Sequence, residues 1–254
     1  MDHEERGENG KVHSRFQMDD EGKLHGEALA YDDEEHLVQR SHWVHGKLDG
    51  EATAYDGPSG RRTEVAHHAA GELDGETIVF DEAGQPAKRM TFKAGKLHGE
   101  LRAYAEGNLR TKMAYVAGVQ EGLMVSYDDD GHETLRAPFK KGKQHGESVW
   151  LDGRGGVLRR SSYRAGKLDG ETVDYWPGGK VREKVTYVAG KKEGEGLSYY
   201  ESGVVRLKAR FKGGEPRGEP LEYDEKGNLK PAKGKPGEPE PSLMTKLSGM
   251  LGAK

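Results

Sequence analysis

The chain has 254 residues, of which 33% are hydrophobic, 33% charged and 38 glycine, and it contains no cysteine. That composition is too polar for the thick core of an ordinary enzyme of this length, yet too regular and too rich in tyrosine for disorder. Without cysteine there is no disulfide framework, no thiol nucleophile and no cysteine-ligated metal. The net charge of −4 is small and names no partner. The opening residues Met1 to Arg6 lack the apolar core of a secretory signal, and no apolar run approaches the roughly 20 residues that span a bilayer, so the expected location is cytoplasmic.

A glycine recurs at Gly22, Gly46, Gly71, Gly95, Gly118, Gly142, Gly166, Gly190 and Gly214, at intervals of 23 to 25 residues. A second glycine follows four positions later each time, from Gly26 to Gly218. A period of this length marks a repeat array. Residues 1–21 form a lead-in, in which Lys11 to Phe16 are expected to be the last strand of an incomplete repeat that caps the sheet. Across 22–229 each of nine units reads as two alternating stretches, such as Glu171 to Tyr175 and Val181 to Tyr187, with an Asp-rich, Gly-rich corner between them. Alternation with period two predicts half-buried strands, and Asp and Gly suit tight corners. The fold class predicted is all-β: an elongated single-layer antiparallel sheet of tandem hairpins, with about 18 to 20 strands at two per unit. Residues 230–241 carry four prolines and read as a stiff linker. In 242–254, Leu243, Met244, Leu247, Met250 and Leu251 share one face of a short helix that either caps the last hairpin or binds a partner.

Three columns are assigned by alternation to one aromatic-aliphatic face: Tyr31, Tyr55, Phe80, Tyr104 and Tyr127 with their later equivalents; Leu29, Ile78 and Val125 with theirs; and Trp43, Phe92, Phe139 and Tyr187 with theirs. The opposite face is expected to carry a basic stripe, with seven of eight positions basic from Arg40 through Arg89, Arg136 and Arg160 to Lys208. The short strands are expected to offer that stripe few acidic partners. His25, His98 and His145 occupy the turn position that Asp49, Asp74 and Asp169 hold elsewhere. Equivalent turns are about 10 Å apart, too far for shared metal ligation, so these are read as polar turn tips. His68 stands in an aromatic column and is expected to pack. No Ser-His-Asp arrangement, carboxylate pair or phosphate loop can be assembled, so no enzymatic activity, cofactor or metal is expected.

The unit Gly-Lys-Leu-x-Gly-Glu-x-x-x-x-Tyr, followed by Asp-x-x-Gly and an aromatic before the next glycine, resembles the MORN repeat. It is most similar to the bacterial variant with a 24-residue period, the YwqK-type antitoxin-like family. The resemblance covers residues 10–229 and implies a non-catalytic antitoxin or immunity protein that binds a cognate toxin. A scaffold that self-associates or tethers partners, at a membrane or elsewhere, is the alternative it implies. Membrane contact has only Lys246 and Lys254 to support it in the tail. Nucleic acid is disfavoured by the negative net charge and by the lack of interleaved aromatics on the basic face. The residues expected to meet a partner are Trp43, Tyr104 and Tyr127 as anchors, Arg89, Arg136 and Arg160 for steering, and Leu243 and Leu247 in the tail.

Overall fold

The computed structural model describes residues 2–231. The linker beyond residue 231 and the expected helix at 242–254, with Leu243 and Leu247, lie outside the described residues. Twenty-two strands form one antiparallel sheet. They pair in chain order, from Asp2–Arg6 against Val12–Met18 to Val205–Lys212 against Leu221–Glu222. The number exceeds the expected one for two reasons. Three short strands are cut in two, as at Val119–Gln120 and Gly122–Tyr127. The lead-in is also a complete hairpin rather than a single strand. Its outermost strand, Asp2–Arg6, is exposed at all five residues, and a charged edge of this kind resists pairing with another chain.

Two backbone devices recur along the array. From the second unit on, the first glycine closes a two-residue loop in which both residues have positive φ, 48° and 72° at Ala94 and Gly95, for example. This is the type I′ geometry, whose twist matches that of the flanking strands. The loop is held by the previous unit: the Ala70, Ala94 and Ala189 amides donate to Oδ2 of Asp49, Asp74 and Asp169 at 3.0, 3.1 and 3.2 Å. His98 Nδ1 accepts from Ala117 in the same way at 3.4 Å. Asp49, Asp74, Asp169 and His98 of the histidine-aspartate column therefore cap the next turn. The second glycine sits in a bulge: Ser161 pairs with Thr172 and Tyr163 with Leu168, so Ser162 alone faces Asp169, Gly170 and Glu171. Gly170 has φ 117°, and a Cβ there would lie 2.8 Å from that of Ser162. No other residue fits.

At the opposite margin the corners are closed by aspartates. Asp128 Oδ1 accepts from the amides of Asp130 and His132 at 3.1 and 2.8 Å, and Asp152 and Asp224 bind their own corners alike. These backbone hydrogen bonds hold the three carboxyls below the usual aspartate range.

The register corrects the expected assignment of faces. Gly26 pairs with Trp43 and Leu29 with Arg40, so Trp43 lies on the face of Ala28 and Ala30, opposite Leu29 and Tyr31. The same holds in later units, where Val125 pairs with Arg136 and Val149 with Arg160. One face thus combines the tyrosine and basic columns. The other combines the Trp43–Phe211 column with a central row of small residues that pair with one another, including Ser41 with Ala52 and Ser161 with Thr172. That row is deeply covered, at 0% exposure for Ala137 and Ser148 and 2% for Ser161. The half-buried aromatics beside it are the cover, and the Trp43 indole N–H reaches back to Ser41 Oγ at 2.9 Å. On the tyrosine face Thr53, Val65 and Val125 are buried in the same manner.

Two outcomes are expected from the turns. Ala94 holds a left-handed conformation that costs an L-residue about 1–2 kcal/mol, and Asn tolerates it, so Ala94→Asn should raise the melting temperature; a fall would overturn this account of the loop. The corner aspartates have folded-state pKa values below their unfolded value of about 3.9. Their stabilisation is complete above that pH and is lost as pH falls through the folded values. Acid unfolding of a variant with Asp128, Asp152 and Asp224 all changed to Asn should therefore be shallower than that of the natural chain, as followed by circular dichroism from pH 5 to pH 2.

Candidate functional site

The basic stripe was expected on the face opposite the tyrosines with few acidic partners; it shares the tyrosine face, and most of it is paired. The repeated glutamate after the second glycine lies on the same face, one position diagonal to the basic column. Glu76 pairs with Arg89 at 3.2 Å, Glu147 with Arg160, Glu171 with Lys184 and Glu195 with Lys208, each of these three at 2.6 Å. Arg40 pairs with Glu27, Arg102 with Glu100 and Arg136 with Glu133. Exposed pairs of this kind contribute about 0–1 kcal/mol each, so the ladder mainly orders the face and neutralises it. Guanidinium groups also lie over the aromatic column, with Arg15 5.8 Å from the Tyr31 ring and Arg62 5.2 Å from that of Phe80.

Where the tyrosine column reaches Leu151, the shorter side chain leaves a depression of about 660 Å³ between Arg136 and Arg160, with His132 and Arg154 at its rim and Val149 in its floor. Arg154 makes no ion pair among the described residues. Arg136 is already paired with Glu133, which also lines the depression, and Arg160 with Glu147, so Arg154 is the guanidinium left to accept an anion there, its planar fork suited to meet a carboxylate through two parallel hydrogen bonds. Of the residues expected to meet a partner, Arg136 and Arg160 are brought together here. Tyr104, Tyr127 and Arg89 share the face further along it, and Trp43 stands on the other face.

The small-residue face carries a polar cluster that the sequence reading missed. Asp174, 4% exposed, receives Arg159 through Nε at 2.5 Å and Nη2 at 3.0 Å. Glu183 is directly opposite Asp174 in the ladder. Burial, together with the Asp174 charge, pushes the Glu183 carboxyl up, while burial lowers the Lys192 ammonium despite the pull of Glu183. The Tyr163 and Tyr187 hydroxyls are raised by burial. The signal was available in the sequence: among Ala30, Ala54, Val79, Ala103, Ser126, Trp150, Asp174, Ser198 and Glu222, only Asp174 and the terminal Glu222 are charged.

The profile of the MORN repeat variant matches residues 73–94, 168–189 and 192–212. Each match runs from just after one first glycine to just before the next, so these three units of the array are similar to the MORN repeat variant. No curated protein matches it. Among solved structures it is similar to a porin-like protein from Bacteroides uniformis ATCC 8492, at 10% identity over 75% of this chain and 86% of that one, with a TM-score of 0.21. It is also similar to a structure described as TcdB2-TccC3-TEV, at 13% identity over 87% of this chain and 17% of that one, with a TM-score of 0.17. At these TM-scores neither likeness bears on function.

Removing Arg159 would leave the Asp174 carboxylate buried without its partner, a loss of about 1–3 kcal/mol. Arg159→Ala should accelerate amide exchange across roughly residues 146–199, and adding Asp174→Ala should restore part of the protection. Additive losses in the double variant would show that the two side chains do not act as a pair.

Proposed function

We propose that this chain is a non-catalytic binding array that takes a protein partner along its tyrosine face, and that the partner is a toxin or effector which it occludes. The observation that carries the binding reading is the depression at Leu151, where the unpaired Arg154 stands with the Arg136–Glu133 and Arg160–Glu147 pairs around an apolar floor. An acidic side chain of the partner, flanked by apolar residues, suits that floor and rim. The sheet is one layer thick, so its natural ligand is another macromolecule laid along it rather than a small molecule enclosed in a pocket. The antitoxin reading draws its support from the resemblance of the 24-residue unit to the antitoxin-like variant.

The columns divide the roles. Tyr104 and Tyr127 are the anchors on this face, and aromatic anchors dominate interface energies. Arg136, Arg154 and Arg160 guide approach and orient the acidic group. Trp43, on the opposite face, covers the small-residue row and is not part of the contact.

The test is co-purification of the partner with the tagged chain, followed by binding measurements at two salt concentrations. Reversing charge at Arg136, Arg154 and Arg160 to Glu should slow association and weaken binding at least tenfold, about 1.4 kcal/mol, most of all at low salt. Folded Tyr127→Ala should weaken binding mainly through faster dissociation. Trp43→Ala, if folded, should bind normally; loss of binding in that variant alone would move the interface to the small-residue face.

A further inference from the structure

At the start of the regular array three departures from the repeat pattern meet in space. The loop before Gly22 is not a two-residue turn but a wider one, Asp19 to Lys23, which brings in a carboxylate. The capping position of the same unit holds His25 instead of aspartate. The next two-residue turn begins with His45, where sister turns carry Ala70, Ala94, Ala117, Ala165 and Ala189. A ligand atom from each of Asp19, His25 and His45 lies within 4.8 Å of the others. The His25 and His45 ring centroids are 5.0 Å apart, tilted by 53°. Comparing equivalent turns about 10 Å apart misses this meeting, since His25 approaches not its own equivalent but the turn of the following hairpin.

We propose that Asp19, His25 and His45 bind one divalent transition-metal ion of the zinc type, which joins the first two regular hairpins at their tips. Two imidazoles and one carboxylate are a donor set suited to zinc and its neighbours, whereas magnesium and calcium favour all-oxygen sites. The carboxylate is already oriented: Asp19 Oδ1 accepts from the amides of Glu21 and Lys23 at 3.0 and 2.9 Å, leaving Oδ2 directed at His45. Supporting hydrogen bonds of this kind fix the geometry of a metal ligand. His45 Nδ1 stands 2.7 Å from Oδ2. Two ligands about 2 Å from a tetrahedral ion are about 3.3 Å apart, so the pair opens by some tenths of an ångström as the ion takes the place of the shared proton. The neutral imidazole then carries its proton on Nε2 and ligates through Nδ1. Among the described residues His25 makes no hydrogen bond that competes for its ring nitrogens. Water completes the coordination shell.

The experiment is titration of the full chain with zinc chloride by calorimetry, with magnesium chloride as the comparison, together with nitrogen-15 spectra of the histidine rings. One equivalent of zinc should bind, magnesium should not, and the His25 and His45 signals should shift. His45→Ala restores the residue that five sister turns use, so it should fold as the natural chain does, and its zinc affinity should fall at least tenfold. His25→Asn should weaken binding similarly. Zinc binding that is undiminished in His45→Ala, or that shifts other histidines while leaving His25 and His45 unmoved, would overturn the assignment, as would the absence of any binding.

Discussion

Among the described residues nothing packs against the sheet, which must bury its own middle. Here the solution is lateral: small side chains run along the centre of one face, and long ones at the margins fold over them. Ala137 and Ser148 reach complete burial beneath a single layer because Phe139, Tyr163 and their equivalents lean inward. No hairpin achieves this alone, since the cover of each row is drawn from neighbouring strands. The cost of ordering the backbone, about 1–2 kcal/mol per residue, is therefore met by the array as a whole. The two glycines of each unit serve that end. One reverses the chain in two residues, so that hairpins abut, and the other opens the bulge that lets the strand curve without losing its partner.

The sheet, its unit and its meander order were legible in the sequence because the glycine column is a backbone requirement and survives every side-chain change. The faces were less so. Whether Tyr31 and Trp43 share a side depends on which residue of the hairpin pairs with which, and that parity is set by the corner, where Val38 is bulged out between the Leu37 and Gln39 pairings. Hydrophobicity alone does not count residues around a corner. Once the parity is known, the glutamate column turns from a feature without a partner into the counter-charge of the basic stripe. The Leu151 depression was hidden for a related reason: it arises from a side chain that is shorter than its column, a local deficit that looks unremarkable until its neighbours are in place.

Charge balance has been handled differently on the two faces. On the tyrosine face the pairs are exposed and repeat along the sheet, so their loss at one unit leaves the others intact. On the small-residue face the Arg159–Asp174 pair is half enclosed, with Glu183 opposite Asp174. A buried pair of this kind seldom adds net stability over apolar residues, but it penalises any arrangement in which its members are separated. It sits among strands whose repeats are otherwise alike. The pair thus distinguishes the strands Val157–Arg164 and Lys167–Tyr175 from every other adjacent pair with which a shifted chain could align.

The variation in repeat length has one further consequence. Units of 23 and 25 residues differ in length from the rest only at the corners of the other margin, a two-residue turn at Glu106–Gly107 and a longer corner at Asp56 to Gly60, while every first-glycine turn after the first stays two residues long. The ribbon therefore has one margin of fixed outline and one of adjustable outline. Insertions along the adjustable margin change its silhouette without altering a single strand pairing. New loops can be added there, by evolution or by design, as teeth are cut along one edge of a ruler whose other edge stays straight.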